Sequence, residues 1–236
     1  MTLILNIETS SDVCSAALGK DGQVIDFQEI THGRNHAAML AVLVHDMMQR
    51  NSLDFRQLSA VAVSSGPGSY TGLRIGVSLS KGICMAVGIP LIAVSPLKAL
   101  AWYISNMRSE LLPASSAMYP TRLCPMLDAR RMEVYMAMYD CELNTLEDVT
   151  AKIITPDSFT DIANTHQLLL FGDGADKLDD TVNHPNVKII AGVKTSARFM
   201  CALSEAAFNE QRFEDVAYYE PLYLKDFMAS KPKKLL

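Results

Sequence analysis

LILNIETSSDVCSAALGKDGQVIDF, residues 3–27, reads as three short strands in succession. Leu3–Ile7, Val13–Leu18 and Val24–Phe27 are apolar or alternating runs, and Gly19-Lys20-Asp21-Gly22 supplies the turn between the last two. Beyond this triplet, Asn35–Arg50 carries a helical period and Ala60–Ser64 is a strand. A second helix is expected over about Thr71–Val87, with a strand at Pro90–Val94. The order β-β-β-α-β-α-β then recurs from Leu123. Its strands are Pro125–Asp128, Glu133–Asp140 and roughly Val149–Ile154, followed by a helix after the T-P-D-S start at Thr155 and a strand at Leu168–Phe171. A short helical piece after Gly174, a strand at Val187–Ile190 and a helix opened by Thr195-Ser196 close the second, less regular copy.

A duplicated β-β-β-α-β-α-β unit predicts an α/β protein whose two lobes meet at a cleft, the layout of actin-like ATPases and RNase H-like (ASKHA-type) folds. With 236 residues the chain is long for one compact domain and short for two full ones. The expected division is an N-terminal lobe over 1–104 and a C-terminal lobe with its tail over 105–236. Fold alone assigns no chemistry.

A net charge of -5 argues against binding nucleic acid through the overall field, so any RNA role is expected to be shared with a partner. The start, MTLILNIETSS, has no basic leader, and the apolar stretch between Lys81 and Lys98 is broken by Pro90 and Pro96. Cys14, Cys84, Cys124, Cys141 and Cys201 are odd in number, widely spaced and set in apolar context. A cytoplasmic protein with reduced, buried cysteines and no membrane association is expected.

The stretch SSGPGSYTGLRIG, residues 64–76, holds four of the 12 glycines and invites a phosphate-loop reading. A Walker A loop fails because Thr71 stands where its second glycine is needed and no lysine follows, and G-x-G-x-x-G fails at the same residue. A nucleophile elbow fails because Gly68 and Gly72 do not enclose a central serine. What remains is a Pro67-Gly68 turn, a cap at Ser69 or Thr71, and Gly72 and Gly76 one helical turn apart, a spacing that admits another backbone closely. Nucleotide-binding members of this fold class also use glycine-rich hairpin turns. Here the two turns, NIETSSDV and LDARRMEV, contain none, and Arg130 and Arg131 crowd the second. Glu8, Thr9, Ser10 and Asp128, with Gly172 and Gly174 of FGDGADK, are left as a vestigial cleft and not as a firm cofactor site. His32 and His36 have metal-like i, i+4 spacing, but Gly33 lies between them and no acidic third ligand is near, so caps or surface groups are expected. The basic end, Lys231–Lys234, reads as a solvated tail, with an RNA or partner contact as the second reading.

IETS, SGPGSYTGLRIG, KGICMAVGIPLIAVS, LDARRMEVY and EPLYLK together resemble the TsaB (YeaZ) family across essentially the whole chain, more loosely after about Thr145. The resemblance implies a non-catalytic paralogue of TsaD, the subunit that transfers a threonylcarbamoyl group to the tRNA adenosine next to the anticodon. It also implies pairing with TsaD, an accompanying ATPase, TsaE, and a homodimer when TsaD is absent, so that tRNA is met indirectly, through the complex. TsaD-like proteins carry N-H-x-x-x-H, whose histidines bind a catalytic metal; the matching positions here are Pro96 and Leu100, which offer no ligand. No metal, no cofactor and no catalytic residue are therefore expected.

The two N-lobe helices are apolar around more of their circumference than a single sheet contact needs. A stripe through Leu40, Val44 and Met47 or Met48 can serve the core, leaving Met39 and Leu43 for a neighbour. The expected partner-binding set is Met39, Leu43, Met47, Gly72, Leu73, Gly76, Val77 and Ser80, facing the TsaD N-lobe or a second copy of this chain. Two alternatives stay open: a small-molecule kinase or ATPase, which requires tight nucleotide binding, and a metal-dependent glycoprotease-like hydrolase, which requires bound metal.

Overall fold

The computed structural model describes residues 1–31, 36–112 and 119–225; His32 and Lys231–Lys234 lie outside them. Two five-stranded mixed sheets share one topology. The first is ordered β3-β2-β1-β4-β5 and the second β8-β7-β6-β9-β10, with each β-β-β meander antiparallel and the remaining strands parallel. The first sheet comprises β1 (Leu3–Glu8), β2 (Cys14–Lys20), β3 (Gln23–Ile30), β4 (Ala60–Ser64) and β5 (Leu91–Val94). Its helices are α1 (His36–Arg50) and α2 (Tyr70–Val87). Central β4 and all of β1 after Leu3 are buried on both faces, Asn6 and Glu8 of β1 included, whereas edge strand β3 is exposed or half-buried throughout. Ser69 caps α2 by accepting from Gly72 N at 3.3 Å, and Gly88, at φ +76°, ends it in the left-handed conformation.

A third helix, α3 (Pro96–Met107), follows β5, an element not expected from the sequence. Its signal was present: Ser95 accepts from Lys98 N and Pro96 occupies the first turn. The second sheet comprises β6 (Thr121–Asp128), β7 (Glu133–Tyr139), β8 (Thr145–Ile153), β9 (Gln167–Phe171) and β10 (Val187–Ile190). Its outer cover is slight. The helix expected at Thr155 is delayed by a Thr155–Ser158 turn and survives as the four-residue α4 (Thr160–Ala163). After Gly174 a chain of turns stands in place of the expected helical piece, with Ala175 N bonded to Gly172 O and Leu178 N to Ala175 O. A 3-10 turn, Ala197–Met200, leads into α5 (Cys201–Asn209).

The layers run α1/α2, first sheet, α3/α5, second sheet, α4. The central core between the sheets unites Ile4, Ala62 and Val94 of the first with Leu127, Tyr139 and Phe171 of the second through Leu97, Leu100 and Ile104 of α3. The division expected after residue 104 falls inside α3, which packs on β6 and β7 of the second sheet, while α5 packs on β1, β2 and β5 of the first. Each half thus lends its last helix to the other, and the halves are interlocked. Four cysteines are buried, with Cys141 half-buried, and none is disulfide-bonded. No helix among the described residues is long and apolar enough to cross a membrane.

Candidate functional site

The turn after β1 lies at the base of the cleft. Glu8 is buried; its Oε1 accepts from Ser10 N at 2.5 Å, and Ser64 Oγ accepts from Thr9 N at 3.3 Å. Among the described residues Glu8 Oε2, Thr9 Oγ1 and Ser10 Oγ have no hydrogen-bond partner. The glycines of residues 64–76 exist to seat this turn. A Cβ on Gly72 would stand 2.1 Å from Thr9 O, one on Gly76 2.4 Å from Thr9 Oγ1, and one on Gly68 2.2 Å from Ser10 O. The expectation that Gly72 and Gly76 admit a partner's helix is therefore corrected: the close neighbour is the chain's own β1-β2 turn. Leu73, Val77 and Ser80, on the same face of α2, are likewise buried against the first sheet and give no surface to a partner.

The second hairpin keeps the turn but changes its chemistry. Asp128 Oδ1 accepts from Arg130 N at 3.0 Å and pairs with Lys177, and Asp173 Oδ1 accepts from Asp128 N at 3.0 Å. Arg130 and Arg131, both exposed, hold the left-handed conformation at φ +70° and +52°. A Cβ on Gly172 would lie 2.1 Å from Met126 O and one on Gly174 2.7 Å from Leu127 C, so these glycines press on the end of β6. Burial raises the Asp173 carboxyl to about 6, helped by Asp128, Asp12 and Asp176. Burial also raises Glu8, against hydrogen bonds from Ser10 and Ser64 and with a smaller push from Asp173. Both shifts favour the neutral acid, and the only arginines of these turns, Arg130 and Arg131, stand at exposed positions.

At the positions of the metal-binding histidines of TsaD-like proteins, Pro96 is buried and Leu100 is fully enclosed in the central core. These residues do not fit a metal. Among the described residues no group of three or more His, Cys, Asp or Glu gathers at one point. His36 Nε2 lies 3.1 Å from Ser11 O, tying the start of α1 to the β1-β2 turn.

The outer helices supply the remaining candidate surface. Leu43 and Met47 are buried beside Leu40, Val44 and Met48 against β1, β2 and β4, which corrects their assignment to a partner face. Met39 alone of that stripe is open, at 37% exposure. With it stand Val42 on α1 and Met85 on α2, 49% and 72% exposed. Between the helices runs a groove of about 530 Å³ lined by Ala37, Ala41, Thr71, Ser78 and the flanks of Ile75 and Leu79. Sequence reading missed these residues. Their signal was a second series of small side chains at i, i+4, Ala37/Ala41 and Ser78/Gly82, displaced from the glycines that face inward. The C-terminal strap borders the groove: Leu222 N donates to Ser65 O at 2.7 Å, and the Tyr223 ring lies 4.6 Å from that of Tyr70. Gly66 is required there, since its Cβ would sit 2.7 Å from Leu222 O.

Two interlocked copies of a 3-2-1-4-5 sheet, with a cleft turn at each β-β hairpin, define a two-lobed α/β protein of the actin-like ATPase class. The model of the family described as TsaD, tRNA N6-adenosine threonylcarbamoyltransferase, matches residues 29–218. The chain belongs to this family, in its TsaB branch, and the relatives carry that assignment. It is 31% identical to the tRNA threonylcarbamoyladenosine biosynthesis protein TsaB of Bacillus subtilis, over 94% of this chain and 93% of that protein. The TsaB of Escherichia coli is 26% identical over 97% of this chain and 96% of its own length. A tRNA N6-adenosine threonylcarbamoyltransferase from Erythrobacter litoralis is 30% identical, but only 51% of it is covered. Among solved structures, a protein with similarity to peptidase YEAZ from Pseudomonas aeruginosa shares the fold, with a TM-score of 0.79 at 23% identity over 95% of this chain and all of that one.

Proposed function

We propose that this chain is a non-catalytic partner subunit in tRNA threonylcarbamoyladenosine biosynthesis that docks a TsaD-type transferase through the exposed edge of α1 and α2. The observation that carries this reading is the groove between those helices, lined by Ala37, Ala41, Ser78, Ile75 and Leu79 with Tyr70 and Arg74, on helices that also expose Met39, Val42 and Met85. Small floor residues admit a partner's backbone or large side chains, and exposed methionines adapt to a second surface. The non-catalytic reading is supported by side-chain chemistry, since Pro96 and Leu100 supply no metal ligand. The same edge pairs two copies of the chain when the transferase is absent, a TsaE-type ATPase joins the assembled complex, and tRNA is met there in the cytoplasm.

Co-elution with the transferase of the same organism tests the reading. Ala41→Arg combined with Ser78→Arg places two charges on the groove floor at exposed backbone positions. The double variant keeps its circular dichroism and melting temperature and loses co-elution with the transferase. A folded double variant that still co-elutes with unchanged affinity would remove this surface from the interface.

A further inference from the structure

A second cavity, of about 290 Å³, lies where β3, the end of α3 and the segment from Ile190 to Phe199 converge, apart from the α1/α2 groove and beside Val13 at the end of the β1-β2 turn. Its charged lining is Arg108, Lys194 and Arg198 against the single carboxylate of Glu29, a positive concentration in a chain of net charge -5. Arg198 is held as a presented cation. Its guanidinium lies over the rings of Phe27 and Phe199, at 4.8 and 5.0 Å from their centroids, and its Nε stands 3.5 Å from Glu29 Oε1. Phe199 is in turn stacked on Tyr103 at 4.0 Å, so the platform beneath the guanidinium is rigid. Glu29 is partly occupied, since it also accepts from Ser196 Oγ. Lys194 is exposed and makes no ion pair among the described residues. Arg108 pairs with exposed Glu110 and donates to Tyr103 OH at 3.4 Å. The hydroxyls of Thr31, Thr195 and Ser196 complete the wall, Thr195 Oγ1 lying 2.6 Å from Ser11 Oγ across the lobes.

A stacked guanidinium and a flexible ammonium beside several hydroxyls make a donor-rich wall, with Glu29 its one carboxylate, suited to an oxyanion with several acceptor oxygens. The volume sits at the small end of the range for ligand pockets, roughly 300–1,000 Å³. We propose that this pocket binds a phosphate group, with Arg198 and Lys194 as its principal cations and Glu29 as the internal carboxylate that the phosphate displaces from Arg198. That phosphate belongs either to a small phosphorylated molecule or to an RNA backbone, and both present the same oxygens to the same donors.

Glu29→Gln separates a binding role from a structural one. If Arg198 serves only the fold, the substitution lowers stability and changes no affinity; if Arg198 awaits a phosphate, it tightens binding. Pyrophosphate and AMP are titrated calorimetrically at low ionic strength into the full chain, and a short fluorescent single-stranded RNA is followed in parallel by anisotropy. Lys194→Glu is the main variant because its side chain is exposed, and Lys20→Glu, at the opposite end of the first sheet, is the control. The expected result is one site per chain, weakened about tenfold or more by Lys194→Glu, tightened by Glu29→Gln and unmoved by Lys20→Glu. This pattern with pyrophosphate or AMP identifies a free phosphorylated ligand; the same pattern with RNA alone assigns the phosphate to a nucleic acid. The proposal is overturned if no probe binds below millimolar concentration, or if Lys194→Glu and Lys20→Glu weaken binding equally.

Discussion

The two sheets carry one strand order, yet their outer faces differ. The first is covered by α1 and α2, of 15 and 18 residues, and the second by a four-residue helix and a succession of turns. Glycines do parallel work in both halves: Gly68, Gly72 and Gly76 seat α2 on Thr9 and Ser10, while Gly172 and Gly174 seat a loop on Met126 and Leu127. What differs is the remainder. In the first half the helices bury one face, leave Met39, Val42 and Met85 exposed and form a groove between them; in the second, Phe159, Leu178 and Val182 close over the sheet, and the exposed apolar residues Leu146 and Ile153 lie on β8. A duplicated fold has thus kept its internal joints in both copies while only the first builds a helix-lined groove.

The strongest way to break this comparison is Leu43→Glu. A carboxylate placed among Leu5, Val61 and Met47 is buried without a partner, at a cost of several kcal/mol, on the order of the whole stability of a domain. Unfolded or aggregated protein is expected by circular dichroism; a folded variant that merely loses partner binding would mean that Leu43 faces outward and the two stripes of α1 are exchanged.

Glycine substitutions along α2 sharpen the distinction between its faces. Gly72→Ala forces a methyl against Thr9 O and is expected to cost about 3 kcal/mol or more. Gly82→Ala on the open face meets nothing within 4 Å and is expected to gain up to about 1 kcal/mol from helix propensity. Urea melts of the two variants should shift in opposite directions, and equal shifts would refute the inward role of Gly72.

Asp173 gives the second half a pH signature. Its folded value of about 6 lies above the 3.8 of an unperturbed aspartate, so between those limits the folded chain holds more protons than the unfolded one. Stability therefore falls as pH rises from about 4 to 6 and stays reduced above that. Asp173→Asn keeps an acceptor for Asp128 N and should flatten this slope, raising neutral stability by about 2 kcal/mol. A melting temperature at pH 7 no higher than that of the parent would contradict the burial argument.

The smallest expected effect belongs to the β6-β7 turn. Arg130→Asn with Arg131→Gly supplies the residues that left-handed turn positions favour and should gain about 1 kcal/mol. Loss of stability would indicate that the arginine side chains make compensating contacts.

Much of the scaffold was legible. Ala60–Ser64 was read with its observed bounds because a short parallel strand buried in a sheet is a continuous small-apolar run closed by turn residues, and Val187–Ile190, an edge strand, because β-branched residues make up most of it between turn residues. The absence of metal-ligand side chains at Pro96 and Leu100 was equally plain, being a matter of residue identity. Most of the residues expected to bind a partner lie on the faces of α1 and α2 that the structure turns inward. α1 is apolar on adjoining stripes, and a helical period records their angular spacing without recording which is turned to the sheet. Gly72 and Gly76 announced a close approach but not the approaching atom, which comes from a turn more than 60 residues earlier in the chain.

Residue order by itself therefore determined the duplicated sheet, the absence of ligand side chains at Pro96 and Leu100 and the presence of more apolar helix surface than one sheet covers, because each follows from local chemistry and periodicity. The tertiary structure decided which stripe of α1 is core, that the α2 glycines face Thr9, and that α3 and α5 cross to the opposite sheets. It also brought Arg108, Lys194 and Arg198 to one cavity. Those outcomes depend on how elements far apart in sequence pack together, and close packing settles them only when every neighbour is in place.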